Sequence, residues 1–243
     1  MIYMGSKARF MKELKPIIES YITDKTVAYI EPFAGGMNSM CKIDFPRKIA
    51  NDNNKYLIAM WESLVKGIRF NHHISREDYN NLRLQYRGVA DFGYSDAEIG
   101  WYGFVASYNG RFFDGGYSSA SNGRDYIAES SRNIERQIPS MIGTSFLNKC
   151  YTDLYIPNDS VVYCDIPYKN TTGYTTSTAF NYDEFYEWCN INSKHSTILI
   201  SEFNMPKDNF TCIWEKSIKT QIGFENKHDR VEKLFTVREQ HFS

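Results

Sequence analysis

Residues 26–36 read TVAYIEPFAGG. An apolar run rich in residues that favour strands closes on Glu31-Pro32, and two glycines follow at once. The pattern predicts a buried strand, a tight turn at Gly35 and Gly36, and a helix beginning near Met37. A second short strand is expected in RKIANDNN, residues 47–54. The next stretch, NKYLIAMWESLVKGI over 54–68, carries Leu57, Met60, Trp61 and Leu64 on one helical stripe. Strand, turn, helix, strand and helix in succession are the signature of a parallel, doubly wound α/β sheet.

Upstream, Phe10, Leu14, Ile17, Ile18 and Tyr21 recur at helical spacing within residues 6–22, and Pro16 predicts a kink or two short helices. Downstream, residues 70–145 change character. They are polar, rich in Arg, Tyr, Asn and Gly, and read as an inserted helical and loop module. The α/β rhythm then returns with SVVYC (160–164) as a strand, NYDEFYEWCNINSK (181–194) as a helix and STILISEF (196–203) as a strand. FTCIWEKSIKTQI and EKLFTVR close the chain as a pair of strands. The expected division is therefore 1–69 with 146–243 as one domain and 70–145 as the insertion.

The chain has 243 residues, 42% of them hydrophobic, enough for one large core. A formal net charge of −1 gives no overall basic bias, so any nucleic-acid contact must rest on a local face. Five cysteines without a CxxC pair, and five histidines without metal spacing, point to neither a disulfide framework nor a metal centre. There is no apolar run of membrane-spanning length and no secretory pattern. The expectation is a soluble cytoplasmic protein. Eighteen tyrosines and sixteen phenylalanines leave two readings open: a tyrosine-rich surface and core rim, or stacking platforms for bases.

Two places could carry chemistry. Gly35 and Gly36 let the backbone approach a ligand, and Asp52 follows at the end of the next strand, where a carboxylate can accept both hydroxyls of a ribose. An Asp at that position is also a common helix N-cap. The third glycine of a dinucleotide fingerprint is missing. Asp165 should stand at the carboxyl end of a parallel strand, where open α/β sheets bind ligands. Pro167 holds Ile166 extended. The Asp165 carboxylate and the Ile166 carbonyl then make a pair of acceptors for an exocyclic amine, and Tyr168 offers a flat face to a planar base. The alternative there is a strand-ending turn with an Asp cap.

Four stretches in order give these residues a family. YMGSKARFMKEL (3–14) resembles the Y-x-G-[GS]-K segment of Dam-like DNA N6-adenine methyltransferases, a group that includes orphan phage enzymes. YIEPFAGGMNSM (29–40) is similar to their E-P-F-x-G-x-G turn, with Met37 in place of the last glycine. IANDNN (49–54) resembles their I-N-D-x-N strand end. VVYCDIPYKNTTGY (161–174) resembles Y-C-D-P-P-Y, with Ile166 in place of the first proline. NKCYTDLYIPNDS (148–160) resembles the segment that contacts the cofactor's adenine, and ILISEFNMP and EKLF are weaker closing pieces.

The resemblance implies a seven-stranded Rossmann-like sheet, mostly parallel with an antiparallel terminal strand. It implies transfer of a methyl group from S-adenosylmethionine to N6 of an adenine flipped out of double-stranded DNA, directly and without a covalent enzyme intermediate. Tyr3, Lys7, Phe33, Gly35, Gly36, Asp52, Cys150, Tyr151 and Asp165 would line the cofactor site. Asp165, Ile166, Pro167 and Tyr168 would hold the base, with the KNTTGY loop closing over it. The 70–145 module would recognise the target, with Asn109, Arg111 and Arg124, together with Lys169, as DNA contacts. Lys7, Arg9, Lys12 and Lys15 form a basic run of the kind usually found on a solvated helix face. No metal is implied, a monomer is expected with a homodimer as the alternative, and the setting is a bacterial or phage-infected cell. No endonuclease motif is apparent, so a solitary enzyme is expected over one of a restriction–modification pair. The competing readings are a methyltransferase-derived DNA-binding protein impaired by Met37 and Ile166, and methylation of cytosine N4, RNA or glutamine.

Overall fold

The computed structural model describes residues 1–3, 5–118, 123–168, 180–219 and 229–238. Five short strands run parallel: β1 (Ala28–Glu31), β2 (Lys48–Asn51), β3 (Ser145–Leu147), β4 (Ser160–Asp165) and β5 (Thr197–Glu202). Two longer strands, β6 (Phe210–Lys219) and β7 (Asp229–Val237), pair antiparallel. Their order across the sheet is β3-β2-β1-β4-β5-β7-β6, and β7 opposes both of its neighbours. The sheet is thus the expected mostly parallel, doubly wound one with an antiparallel strand near its edge.

Both faces of the sheet are buried, and the strands show why. In β4, Val161 and Tyr163 point into one hydrophobic cluster while Val162 and Cys164 point into the other. A period of two in one continuous apolar run is what a strand covered on both sides requires. The first cluster takes in α1 (Met11–Ser20), α2 (Lys55–Val65), α3 (Arg76–Tyr86), α4 (Asp96–Val105), α5 (Tyr126–Glu135) and the short α6 (Ile138–Met141). The second packs α7 (Tyr182–Asn192) on the opposite face through Phe185, Trp188 and Cys189. Residues from the 70–145 stretch, among them Tyr79, Trp101, Phe104 and Met141, share the core of α1 and α2.

Two local expectations are corrected, and one strand was not foreseen. No α-helix begins at Met37. The chain there makes tight turns and a single 3-10 turn over Met40–Lys42, because Met37 sits in the left-handed region at φ 54° and breaks helical geometry. α1 is one helix with Pro16 inside it, starting at Met11 and not at residue 6. β3 carries no strand signature in the sequence at all. Its three residues are held by pairing of Ala50 with Phe146 and Asn51 with Leu147. The aromatics divide between core and rim: Tyr29, Tyr79, Tyr163, Phe113 and Phe185 are fully enclosed, while Tyr56, Tyr86, Tyr102 and Tyr117 pack partly buried against the first cluster.

Candidate active site

β1 and β4 are neighbours, yet the chain leaves β1 toward β2 and β3 and later continues from β4 toward β5. That reversal opens a crevice at the carboxyl ends of β1 and β4, the place where open α/β sheets bind ligands. The turn after β1, the end of β2 and the end of β4 all lie on this edge. They carry Gly35, Asp52 and Asp165.

The turn after β1 is closely built. Gly35 has φ +47°, and a Cβ on it would lie 2.9 Å from the Tyr3 ring. A Cβ on Gly36 would lie 2.6 Å from the Tyr3 Cβ, so Tyr3 packs directly on the two glycines. Met37 follows, wholly buried in the first cluster. Its side chain therefore packs inward.

Asp52 is not a helix cap. The N-cap of α2 is Asn54, whose side chain accepts from the amides of Tyr56 and Leu57. Asp52 Oδ2 instead accepts the Gly35 amide at 2.9 Å, and Oδ1 accepts the Asn54 amide at 2.9 Å. Burial pushes its carboxyl above the ordinary range, and these two amides oppose the push. Asn51 joins the same edge to the 148–151 segment: its amide donates to the Pro32 and Lys149 carbonyls, and its Oδ1 accepts the Lys149 amide. Tyr151 is thereby set 5.1 Å from the Phe33 ring, with Phe180 5.8 Å from each. The result is an aromatic wall beside Asp52. Cys150 lies exposed at its border.

Asp165 does not cap a described helix either; the N-cap of α7 is Asn181. As the last residue of β4 it projects on the face that α1 covers, and Lys7 meets it there. Lys7 Nζ lies 3.0 Å from Asp165 Oδ1, donates to the Gly5 carbonyl at 3.0 Å and stands 4.2 Å above the Tyr168 ring. Lys7 is 5% exposed, unlike the solvated Arg9 and Lys12 of the same basic run. Burial pushes the Asp165 carboxyl up, Lys7 holds it down and Glu232 adds to the push. Tyr168 stands edge-on to Phe203 at 4.4 Å and donates its hydroxyl to Glu232 at 2.7 Å. Ile166 turns the other way, into the second cluster at 3% exposure.

Two groups were not picked out from sequence. Glu232 lies in β7, whose EKLF mixes charged and apolar residues and gives no signal of which charge faces inward. Glu31, at the end of β1, is 1% exposed and accepts hydroxyls from Tyr29 and Ser39 at 2.7 and 2.8 Å. Burial pushes its carboxyl up to about 8.

The DNA-contact candidates come from other elements, and Gly110, between Asn109 and Arg111, packs against Ile2, the neighbour of Tyr3. Ser107 and Tyr117 bridge the base of a loop whose Asn109 and Arg111 are exposed and whose Phe112 and Phe113 plug the core. Arg124 is exposed and held in a two-point ion pair with Glu129, at 3.0 and 2.6 Å. Lys169 and the KNTTGY loop lie outside the described residues. Among the described residues no group of three or more His, Cys, Asp or Glu is placed to hold a metal. No helix among them is long and apolar enough to cross a membrane.

The strand order, parallel except where β7 opposes its neighbours, is consistent with a Rossmann-like methyltransferase fold. The model of the D12 class N6 adenine-specific DNA methyltransferase family matches residues 3–89, which hold Tyr3, Lys7, the glycine turn and Asp52. That match supports a Dam-like adenine methyltransferase. No curated protein matches the chain.

Proposed function

We propose that the protein methylates N6 of adenine in double-stranded DNA, using S-adenosylmethionine as donor. The observation that carries the proposal is the pairing of Asp165 with Lys7 beside the Tyr168 ring, at the crevice that the glycine turn also enters. An anionic acceptor, a main-chain carbonyl and an aromatic face converge there, which suits an exocyclic amine on a planar base.

The residues present fit the cofactor. Asp52 keeps a free lone pair on each oxygen after accepting two amides, enough for ribose hydroxyls. Phe33, Tyr151 and Phe180 would flank its adenine, and Gly35 and Gly36 form the tight turn against which Tyr3 packs. When bound, S-adenosylmethionine supplies the methyl group. Asp165 and the Ile166 carbonyl would accept the two amine hydrogens, turning the nitrogen lone pair toward the incoming carbon. Tyr168 would stack on a base extruded from the duplex. Lys7 now covers that ring face and must move aside when the base enters. Residues 70–145 would supply target recognition, with Asn109, Arg111 and Arg124 toward the DNA.

The test incubates the protein with labelled S-adenosylmethionine and unmethylated DNA of varied sequence, then measures nucleosides by mass spectrometry. N6-methyladenine is expected, and Asp165→Ala should abolish it while leaving the folded state intact. A folded, cofactor-binding protein that yields no N6-methyladenine would overturn the proposal. N4-methylcytosine as the sole product would move it to a different base.

A further inference from the structure

Glu232 is 7% exposed, and two neighbours face its carboxylate: the Tyr168 hydroxyl at 2.7 Å and Lys7 Nζ at 4.0 Å. Lys7 in turn lies 3.0 Å from Asp165. One buried ammonium therefore stands between two carboxylates. Lys216, the cross-strand partner of Glu232 on β6, is engaged by Glu13 of α1. Among the described residues, Lys7 is the cation within ion-pair reach of both acids.

We propose that Glu232 is a positioning residue for methyl transfer, orienting the Tyr168 ring through its hydroxyl and serving as the second seat for Lys7 when Asp165 turns to the substrate amine. The proposal rests on the reading of Asp165 as the amine acceptor. An amine hydrogen on Asp165 Oδ1 would compete with Lys7 for the same atom. Lys7 also blocks the ring face on which a base would stack. Pushed out with no counter-ion, a buried ammonium is costly. Glu232 lies beside its path and removes that cost, so the lysine can clear the base site while staying inside the protein.

Glu232→Gln keeps an acceptor for the Tyr168 hydroxyl and deletes the charge, whereas Tyr168→Phe deletes the tether and keeps the charge. The first experiment needs no substrate. Asp165→Asn and Glu232→Gln each leave Lys7 one carboxylate and should lower the Tm by a few degrees. Together they strand the lysine and should lower the Tm by about 10 °C beyond the sum of the two. Adding Lys7→Met should recover most of that loss. Additive effects, or no recovery with Lys7→Met, would overturn the shared seat. If Gln at 232 does not fold, the Glu232→Gln/Lys7→Met double variant should fold, and its failure to fold would overturn the shared seat.

The second experiment measures methylation rates. Glu232→Gln should lower kcat about tenfold with the S-adenosylmethionine Kd unchanged, and should cost nothing further in the Lys7→Met background. Tyr168→Phe should raise KM for DNA. A Glu232→Gln variant with wild-type kcat would overturn the catalytic half of the proposal. If the wild-type protein makes no N6-methyladenine, the functional reading fails, and the unfolding comparison still decides whether Glu232 seats the lysine.

Discussion

Asp52 Oδ2 accepts the Gly35 amide at 2.9 Å, tying the end of β2 to the turn after β1. The carboxylate thus shapes the glycine turn before any ligand arrives. Asp52→Ala removes that tie and the proposed ribose acceptor together. S-adenosylmethionine should bind more weakly by about tenfold or more, since a hydrogen bond to a charged group contributes about 1.5–3 kcal/mol. Titration calorimetry checks this. An unchanged Kd in a folded Asp52→Ala protein would remove Asp52 from the cofactor site.

Met37 sets two costs against each other. Its φ of 54° strains an L-residue by roughly 1–2 kcal/mol, which glycine would relieve. Its side chain is wholly buried, and truncating a buried methionine costs about 2–5 kcal/mol. Packing wins, so Met37→Gly should destabilise the protein by about 1–3 kcal/mol despite the relaxed backbone. Urea unfolding gives the sign. A more stable variant would mean that strain at this turn outweighs the core contact.

Much of this architecture was legible because its signals are local. The apolar run of β4 and the stripe of Leu57, Met60, Trp61 and Leu64 on α2 state their own structure. Gly35, Asp52 and Asp165 stood out because each lies at or just beyond the end of a strand in a parallel sheet, and such ends converge. β3 was invisible because its pairing with β2 comes from residues almost a hundred positions away. The missing helix at Met37 had a different cause: sequence spacing does not reveal a non-glycine residue at positive φ. Glu232 escaped because a strand of mixed charge and apolar residues does not say which charge faces inward. Lys7 stood in a basic run and matched the cofactor-site segment of the resembling family, but nothing in the sequence placed its ammonium against Asp165.

Glu31 should make stability depend on pH. Its ordinary value is 4.5, and burial lifts it to about 8 in the folded protein. Between these values the folded state holds a proton that the unfolded state has lost. Stability from this group is therefore complete below about pH 4.5, falls as pH rises, and levels off above about pH 8. Glu31→Gln, which titrates in neither state, should flatten the fall in Tm across that window. An identical pH profile for the variant and the wild type would show that Glu31 is not the group responsible.

Arg124 is held by Glu129, which competes with any phosphate or base. Glu129→Gln should free the guanidinium and tighten DNA binding at low salt, with a steeper dependence of log K on log salt by about one unit. Fluorescence anisotropy across a salt series measures both. Weaker binding in the variant would mean that the ion pair arranges Arg124 for DNA instead of withholding it.

Ile166 combines two roles in the residue that follows Asp165. Its carbonyl is the proposed second acceptor, while its side chain fills the second cluster at 3% exposure. Pro167 already confines it to extended backbone, so a proline at 166 adds little to the aim of the carbonyl. It does remove buried apolar surface, at a cost of about 1–2 kcal/mol. Ile166→Pro should therefore keep kcat within about threefold of wild type and lower the unfolding free energy. Rates and urea midpoints on the same preparation decide it. A large gain in kcat would show that isoleucine leaves the acceptor poorly held, and a large loss would show that the 166 amide or side chain takes part in holding the site.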